Sequence, residues 1–273
     1  MPELPEVETV VRGLRDTVLG KYIKSTICHY SKIDSDNQKG WLDRLRGRKI
    51  ISVSRRGKNI LMHLDEGLTL WVHLKMTGHL YYMSATEPVN KHDLIVFKFE
   101  KDKNDLRFND YRRFGRVRLI ETKKISEMKG LKELGPEPLE ISPDDFVALF
   151  KNRSRMIKPA LLDQTFIAGL GNIYADESLY LSRIHPKKLT NRIARSKLIQ
   201  LHGHIQRLLK KSIRLMGTSV DSYAGVNGQP GGFQKYLLAY GREGEPCRNC
   251  GTKICREKIG SRSAHYCSKC QRI

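Results

Sequence analysis

Acidic side chains are scarce in this chain relative to basic ones. It holds 29 Asp+Glu against 50 Lys+Arg in 273 residues, a formal net charge of +21. Such an imbalance points to a polyanionic partner, nucleic acid first. Residues 1–134 carry 27 basic and 18 acidic side chains and residues 135–273 carry 23 and 11, so the excess belongs to both halves and is no basic tail. Long apolar runs are also lacking. No stretch approaches 18 apolar residues, so no membrane span is expected. There is no long lysine-rich amphipathic helix with an aromatic face to lie on a membrane surface. The first residues are acidic and lack the apolar core of a signal peptide, which leads to an expected cytosolic or nucleoid location with reduced thiols. No internal repeat is present. Hydrophobic residues make up 39%, enough for one large or two ordinary packed domains without disulfide staples.

What is present changes character along the chain. "MPELPEVETV" opens it, with Pro5 suited to a first helical turn and Glu6 and Glu8 placed where the helix dipole favours negative charge. Val7, Val10, Val11 and Leu14 recur at helical spacing. An ordinary capped helix explains all of these; it leaves Pro2 and Glu3 unexplained. To about residue 122, short apolar runs between Gly and Asn/Asp breaks read as strands of a sandwich or barrel: 48–64, 68–76, 94–100 and two more behind them. "GLKELGPEPLEISP" (130–143) is a boundary signal. Beyond it, "DDFVALFKN", "IKPALLDQTFIAGL", "YADESLYLSRI" and the run 190–216 read as helices. "GTSVDSYAGVNGQPGG" (217–232) reads as a mobile loop by composition. The expectation is an α+β chain of two domains. A β-sandwich with a leading helix covers 1–133, a hinge 134–143, a helical domain 144–235 and a small metal module 236–273.

That module rests on cysteine. Cys247-x2-Cys250 and Cys267-x2-Cys270 stand 16 residues apart, the spacing of a four-cysteine zinc site on a short hairpin. Four thiolates fill a tetrahedral sphere, so one Zn2+ is expected and its role is structural. A pair of disulfides is the alternative, disfavoured in a reducing compartment; Cys28 and Cys255 are left as ordinary thiols. The hairpin carries Arg248, Lys253, Arg256, Lys258, Arg262 and Lys269, so it can meet phosphates. "YRRFGR" (111–116) sets Arg112 and Arg113 beside Phe114, a pattern that fits either a wedge into a base stack or a basic strand edge. "KNRSRMIK" (151–158), with Arg153, Arg155 and Lys158, is either a solvated face or a phosphate contact. "GLGNIYADE" (169–177) is a Gly-rich turn entering a helix.

Together "MPELPEVET", "SRRGKNIL", "RRFG", "LGPEPL", "IKPALLDQ", "GLGNIYADE", "IHP" and "YGREGEPCRNCG…HYCSKCQ" stand in an order that resembles the formamidopyrimidine-DNA glycosylase family over the whole chain. The resemblance implies a helix-two-turn-helix in the second domain and a bifunctional repair enzyme. Such an enzyme excises oxidised purines from duplex DNA and then cuts the strand at the abasic site. It implies that Met1 is removed and that Pro2 is the nucleophile. An α-amine has a pKa of about 8 against about 10.4 for lysine, so far more of it is neutral near pH 7. Glu3 is implied as the acid/base partner, Lys58 as a phosphate contact that assists β-elimination, and Arg262 as the arginine of the δ-elimination. Met76, Arg112 and Phe114 are implied to fill the gap left by a flipped nucleotide. His73, His92, Arg153, Arg155, Lys158, Asn172 and Tyr223 are implied as DNA contacts, Glu6 as a supporting carboxylate, and 217–232 as a loop over the flipped base. The partner implied is double-stranded DNA with an oxidised purine or an abasic site, bound by a monomer in a bacterial cytoplasm, with no membrane role. Asp221 and Leu94 depart from the family's usual residues and Thr77 stands at a variable position, which bears on base recognition rather than on the reaction. The alternatives are the sister endonuclease VIII type, acting on oxidised pyrimidines, and a non-catalytic zinc protein that senses damage on the same scaffold.

Overall fold

The structure is a computed structural model that describes residues 1–33, 40–151, 153–219 and 223–273. Two compact units emerge: residues 1–132 with 215–232, and residues 133–214 with 233–273.

The first unit begins with α1 (Leu4–Val18). Its apolar stripe of Leu4, Val7, Val10, Val11, Leu14 and Val18 is buried, as the spacing predicts. Among the described residues eight strands follow: β1 (Ile23–Cys28), β2 (Ile50–Arg56), β3 (Asn59–Leu64), β4 (Leu68–His73), β5 (Gly78–Ser84), β6 (Asp93–Phe99), β7 (Asn104–Asp110) and β8 (Arg116–Glu121). They form two antiparallel sheets, ordered β1-β6-β7-β5 and β2-β3-β4-β8. Inward residues such as Ile60, Met62, Leu70, Val72, Phe97, Leu106 and Phe108 join the α1 stripe in one core. This is the expected sandwich with its leading helix.

Described residues of the 217–232 stretch make contacts within the first unit. Tyr223 and Val226 belong to the core of the first unit. Tyr82 N–H donates to the Val226 carbonyl at 2.9 Å. A Cβ at Gly13 of α1 would stand 3.1 Å from Val226 Cγ2, so the helix and this segment lie against each other. Asp221, the departure noted above, lies outside the described residues.

The second unit contains α2 (Pro143–Ala148), α3 (Ile157–Leu162), α4 (Asn172–Ser182) and α5 (Arg195–Arg214), then the hairpin β9 (Cys255–Ile259) and β10 (Arg262–Tyr266). Two helices are shorter than the apolar patterns indicate. After Leu162 the Asp163 carboxylate takes the N–H and hydroxyl of Thr165, and the Gln164 amide bonds the carbonyls of Leu162 and Leu170. These side-chain bonds replace the helical ladder, and "DQTFIAGL" becomes a turn. Residues Thr190–Arg192 form a separate 3-10 turn before α5. α4 is buried along Ile173–Tyr180, Asp176, Glu177 and Ser178 included. The 134–143 segment packs within this unit: Gly135 N–H reaches the Gln164 carbonyl at 2.9 Å, and His202 Nε2 lies 3.0 Å from the Ile141 carbonyl oxygen.

Candidate active site and nucleic-acid interface

The head of α1 is where the unexplained residues of "MPELPEVE" sit. Pro2 and Glu3 are buried while Met1 is exposed. Glu3 and Glu6 close a capping box at the helix start, with the Glu3 N–H donating to Glu6 Oε2 at 2.8 Å. The other Glu6 oxygen accepts the Thr218 N–H, also at 2.8 Å, and the Tyr223 hydroxyl donates to the Glu6 carbonyl at 3.1 Å. Gly217 takes φ +84°, and a Cβ there would meet Glu6 Cγ and Oε1 at 3.0 Å; only glycine suits both conditions. Glu6 is thus more than a charge in a first turn. Both of its oxygens are committed to backbone N–H groups that fix the 217–218 segment against the residue following Pro2.

Lys58 sits in the two-residue turn between β2 and β3, where Gly57 supplies φ +57°. Arg55 anchors this turn: its Nη1 donates to the Gly57 carbonyl at 2.8 Å and its Nε reaches Glu8 of α1 at 3.3 Å. That arginine ties the lysine turn to the first helical turns. His73, at the end of β4, is half-buried, and its Nδ1 accepts the Lys75 N–H at 2.9 Å. Burial pushes its pKa down to about 3, helped by the Lys75 and Lys58 cations, so the ring is neutral.

Met76 lies half-buried in the β4–β5 turn. Arg112 and Phe114 stand exposed in the β7–β8 loop, with the Arg112 guanidinium 4.7 Å from the Phe114 ring centroid. Phe114 lies outside the core and is nearly half exposed, 47%. His92 precedes β6 with a buried Nδ1 lacking a protein partner.

In the second unit, Arg153 and Arg155 place their guanidinium groups 5.3 and 4.9 Å from the Phe166 ring centroid. Arg155 also pairs with Asp163 at 2.9 Å, while its Nε and Nη2 lack protein partners. Asn172 is the first residue of α4 and its Oδ1 is likewise buried and unpartnered. Arg262 is exposed at the start of β10, beside the hairpin turn at Gly260.

Two of the expected DNA contacts, Lys158 and Tyr223, are buried. Lys158 is fully buried, its ammonium 2.5 Å from Asp176 Oδ1 and bonded to the Ser263 carbonyl. An ion pair at this depth needs those partners, so Lys158 fastens α3 to α4 and to β10 rather than facing solvent. Tyr223 is buried with its hydroxyl on Glu6, as above, and burial raises its pKa well above the usual phenol value.

Sequence reasoning missed the residues that hold these pieces. Asp176 accepts the His265 N–H at 2.9 Å as well as the Lys158 pair. Glu177 accepts the N–H groups of Leu238, Ala239 and Tyr240 at 2.8–2.9 Å. Two neighbouring carboxylates of α4 therefore hold the segment entering the cysteine module and its hairpin. Their one sequence signal was a pair of acids inside an otherwise apolar helix.

The four sulfurs of Cys247, Cys250, Cys267 and Cys270 lie within 4.8 Å of one another. Cys247–Cys270 and Cys250–Cys267 are 3.9 and 3.4 Å apart. Zn–S bonds of about 2.3 Å in a tetrahedron require sulfurs about 3.8 Å apart, so the set fits one structural zinc. The Asn249 amide and Tyr180 hydroxyl lie 3.2 and 3.1 Å from Cys270 and Cys247, hydrogen bonds suited to steadying thiolates. Among the described residues no helix is long and apolar enough to cross a membrane.

Three family models match in this order: the formamidopyrimidine-DNA glycosylase N-terminal domain at residues 1–117, the formamidopyrimidine-DNA glycosylase H2TH domain at 134–224, and the zinc finger found in FPG and IleRS at 244–273. Formamidopyrimidine-DNA glycosylases of Pelotomaculum thermopropionicum and Ligilactobacillus salivarius are each 43% identical, covering 100% and 99% of both chains. Two Lactococcus lactis Fpg structures superpose with TM-scores of 0.93. One, with DNA containing an abasic site, is 36% identical over 99% of this chain and 100% of that one. The other, the wild-type protein with DNA containing N7-benzyl-Fapy-dG, is 37% identical over 100% of both. With its helix-led sandwich, its buried Pro2–Glu3 head and its four-cysteine module, the chain belongs to the formamidopyrimidine-DNA glycosylase family.

Proposed function

We propose that the chain is a DNA repair glycosylase and abasic-site lyase that removes oxidised purines from duplex DNA. The observation that carries this reading is the head of α1: Pro2 is buried beside Glu3, and Glu6 clamps the same turn from its other side. Pro2 becomes a secondary amine once Met1 is removed. Its nitrogen lone pair attacks the sugar C1′, the C1′–N9 bond breaks, and the base leaves with the bonding electrons. Glu3 protonates the ring oxygen as the sugar opens, and loss of the amine proton gives an iminium. That cation accepts the electron pair released when the C2′ proton is taken, and the 3′ phosphate departs. A second elimination, with Arg262 on the flanking phosphate, releases the 5′ phosphate. Lys58, held beside α1 by Arg55, contacts a phosphate and assists the first elimination. The reaction requires extrusion of the damaged nucleotide, with Met76, Arg112 and Phe114 filling the gap and Arg112 facing the orphaned cytosine.

Borohydride trapping on a duplex with 8-oxoguanine opposite cytosine tests the covalent step. One cross-link per chain is expected, with intact mass spectrometry showing loss of Met1. Pro2→Gly should severely slow strand cleavage, and Glu3→Gln should lose base excision yet bind the lesion. Undiminished turnover by Glu3→Gln would overturn the assignment.

A further inference from the structure

Three stretches of the first unit converge on one buried residue. Asp110 ends β7 and is fully buried. Its Oδ1 accepts from the Thr77 hydroxyl and from the Arg112 N–H at 3.1 Å. Its Oδ2 accepts the Gly115 N–H at 2.7 Å. The backbone adds two links: Asp110 N–H donates to the His92 carbonyl at 2.9 Å, and Arg113 N–H donates to the Asp110 carbonyl at 3.2 Å. The turn carrying Met76, the segment carrying His92 and the loop carrying Arg112 and Phe114 therefore meet at one residue.

A second feature binds the same turns. β5 and β7 pair Gly78 with Asp110 and Leu80 with Phe108. A Cβ at Gly115 would stand 2.4 Å from Phe108 Cζ, and one at Gly78 would stand 3.0 Å from the same atom. Bare backbone on both sides lets the two turns close on a single ring. Arg113 is held at φ +58°, a conformation unusual for a non-glycine residue and sustained only where surrounding bonds over-determine it.

We propose that Asp110 is a positioning residue that joins the Met76 turn and the Arg112–Phe114 loop into one rigid wedge. The inference rests on the reading that this loop fills the gap in the duplex. Three donors call for a group that only accepts, and an ionised acceptor makes the stronger bonds. An asparagine would keep one acceptor oxygen and turn an NH2 toward a donor.

The test uses Asp110→Asn and Thr77→Val; the valine removes only the hydroxyl link between the two turns. Single-turnover cleavage is measured on an 8-oxoguanine duplex and on a preformed abasic duplex, with hydrogen exchange followed on the free proteins. Asp110→Asn should be slowed about tenfold on the lesion duplex, as expected from leaving buried donors unmatched, and far less on the abasic one. Amides 112 and 115 should exchange faster while the strand amides keep their protection. Thr77→Val should shift the same ratio in the same direction by a smaller factor. Equal slowing on both substrates, or an unchanged ratio with deprotected loop amides, overturns the proposal. If Asp110→Asn does not fold, Thr77→Val decides: a wild-type ratio overturns it. Failure of the underlying reading looks different, since Arg112→Ala and Phe114→Ala would then leave the lesion-to-abasic ratio unchanged. In that event hydrogen exchange alone decides whether Asp110 fixes the loop, faster exchange at both amides upholding it and unchanged exchange overturning it.

Discussion

At the scale of single residues, partner choice distinguishes side chains that look alike in sequence. Lys58 and Lys158 both stand in motifs implied to contact DNA and both are buried, and Lys158 places its charge on Asp176. His73 is another case. Its pKa is pushed from the ordinary 6.5 to about 3 by burial and two nearby lysine cations. Between those values the unfolded chain binds more protons than the folded one, so stability rises with pH across that window. Read the other way, the contribution is complete above 6.5 and is lost as the pH falls through the folded value. NMR titration should find the His73 imidazole neutral down to about pH 4. His73→Gln should make the urea midpoint less sensitive to acidification from about pH 7 to about pH 4.5. A ring that protonates near 6.5 in the folded protein would contradict this account and would give His73 a charge to offer phosphate.

Elements show which parts of the molecule were legible in the sequence and which were not. The α1 stripe and the cysteine spacing were legible because each is a local pattern with one physical solution. The end of α3 was not, since Asp163 and Gln164 stop it through side-chain bonds that apolar spacing does not register. Motifs mark Pro2, Glu3 and Lys58 as site candidates and say nothing of Asp110, Asp176 and Glu177: a buried acid is defined by N–H groups that come from distant parts of the chain. The cysteine module provides a prediction at this scale. Its small core unites Cys247, Ile254 and Cys267 with Tyr180 of α4 and with Ala239, and β9–β10 otherwise form a single hairpin, too little to stand alone in water. Metal binding is therefore coupled to the order of the module. Cys250→Ser, or removal of zinc by a chelator, should lower the zinc content from one per chain and unfold 244–273, while the sandwich keeps its thermal transition. Elemental analysis and hydrogen exchange on the same sample check both halves. Full zinc content in Cys250→Ser would show that the ligand set is wrong.

Across the whole molecule the decisive quantity is charge. A net +21 spread over both halves of the chain makes counterion release the main source of affinity for any duplex, damaged or not. Affinity and reading should then separate by their response to salt. Arg153 is exposed and stacks against Phe166, a place from which it can neutralise a phosphate without touching a base. Arg153→Gln should weaken binding to damaged and undamaged duplexes alike and reduce the slope of log K against log salt by about one. Arg112 should behave in the opposite way. Its guanidinium rides on the exposed Phe114 ring in a loop held by Asp110, and a contact to the orphaned cytosine is worth about 1–3 kcal/mol of discrimination. Arg112→Ala should keep most of the salt slope, lose the preference for cytosine opposite the lesion, and cleave a preformed abasic site at close to the normal rate. Binding isotherms at four salt concentrations, with single-turnover cleavage on the two duplexes, separate the two residues. A slope reduced equally by both substitutions, with the cytosine preference intact, would make Arg112 one more phosphate clamp and remove the wedge from the mechanism.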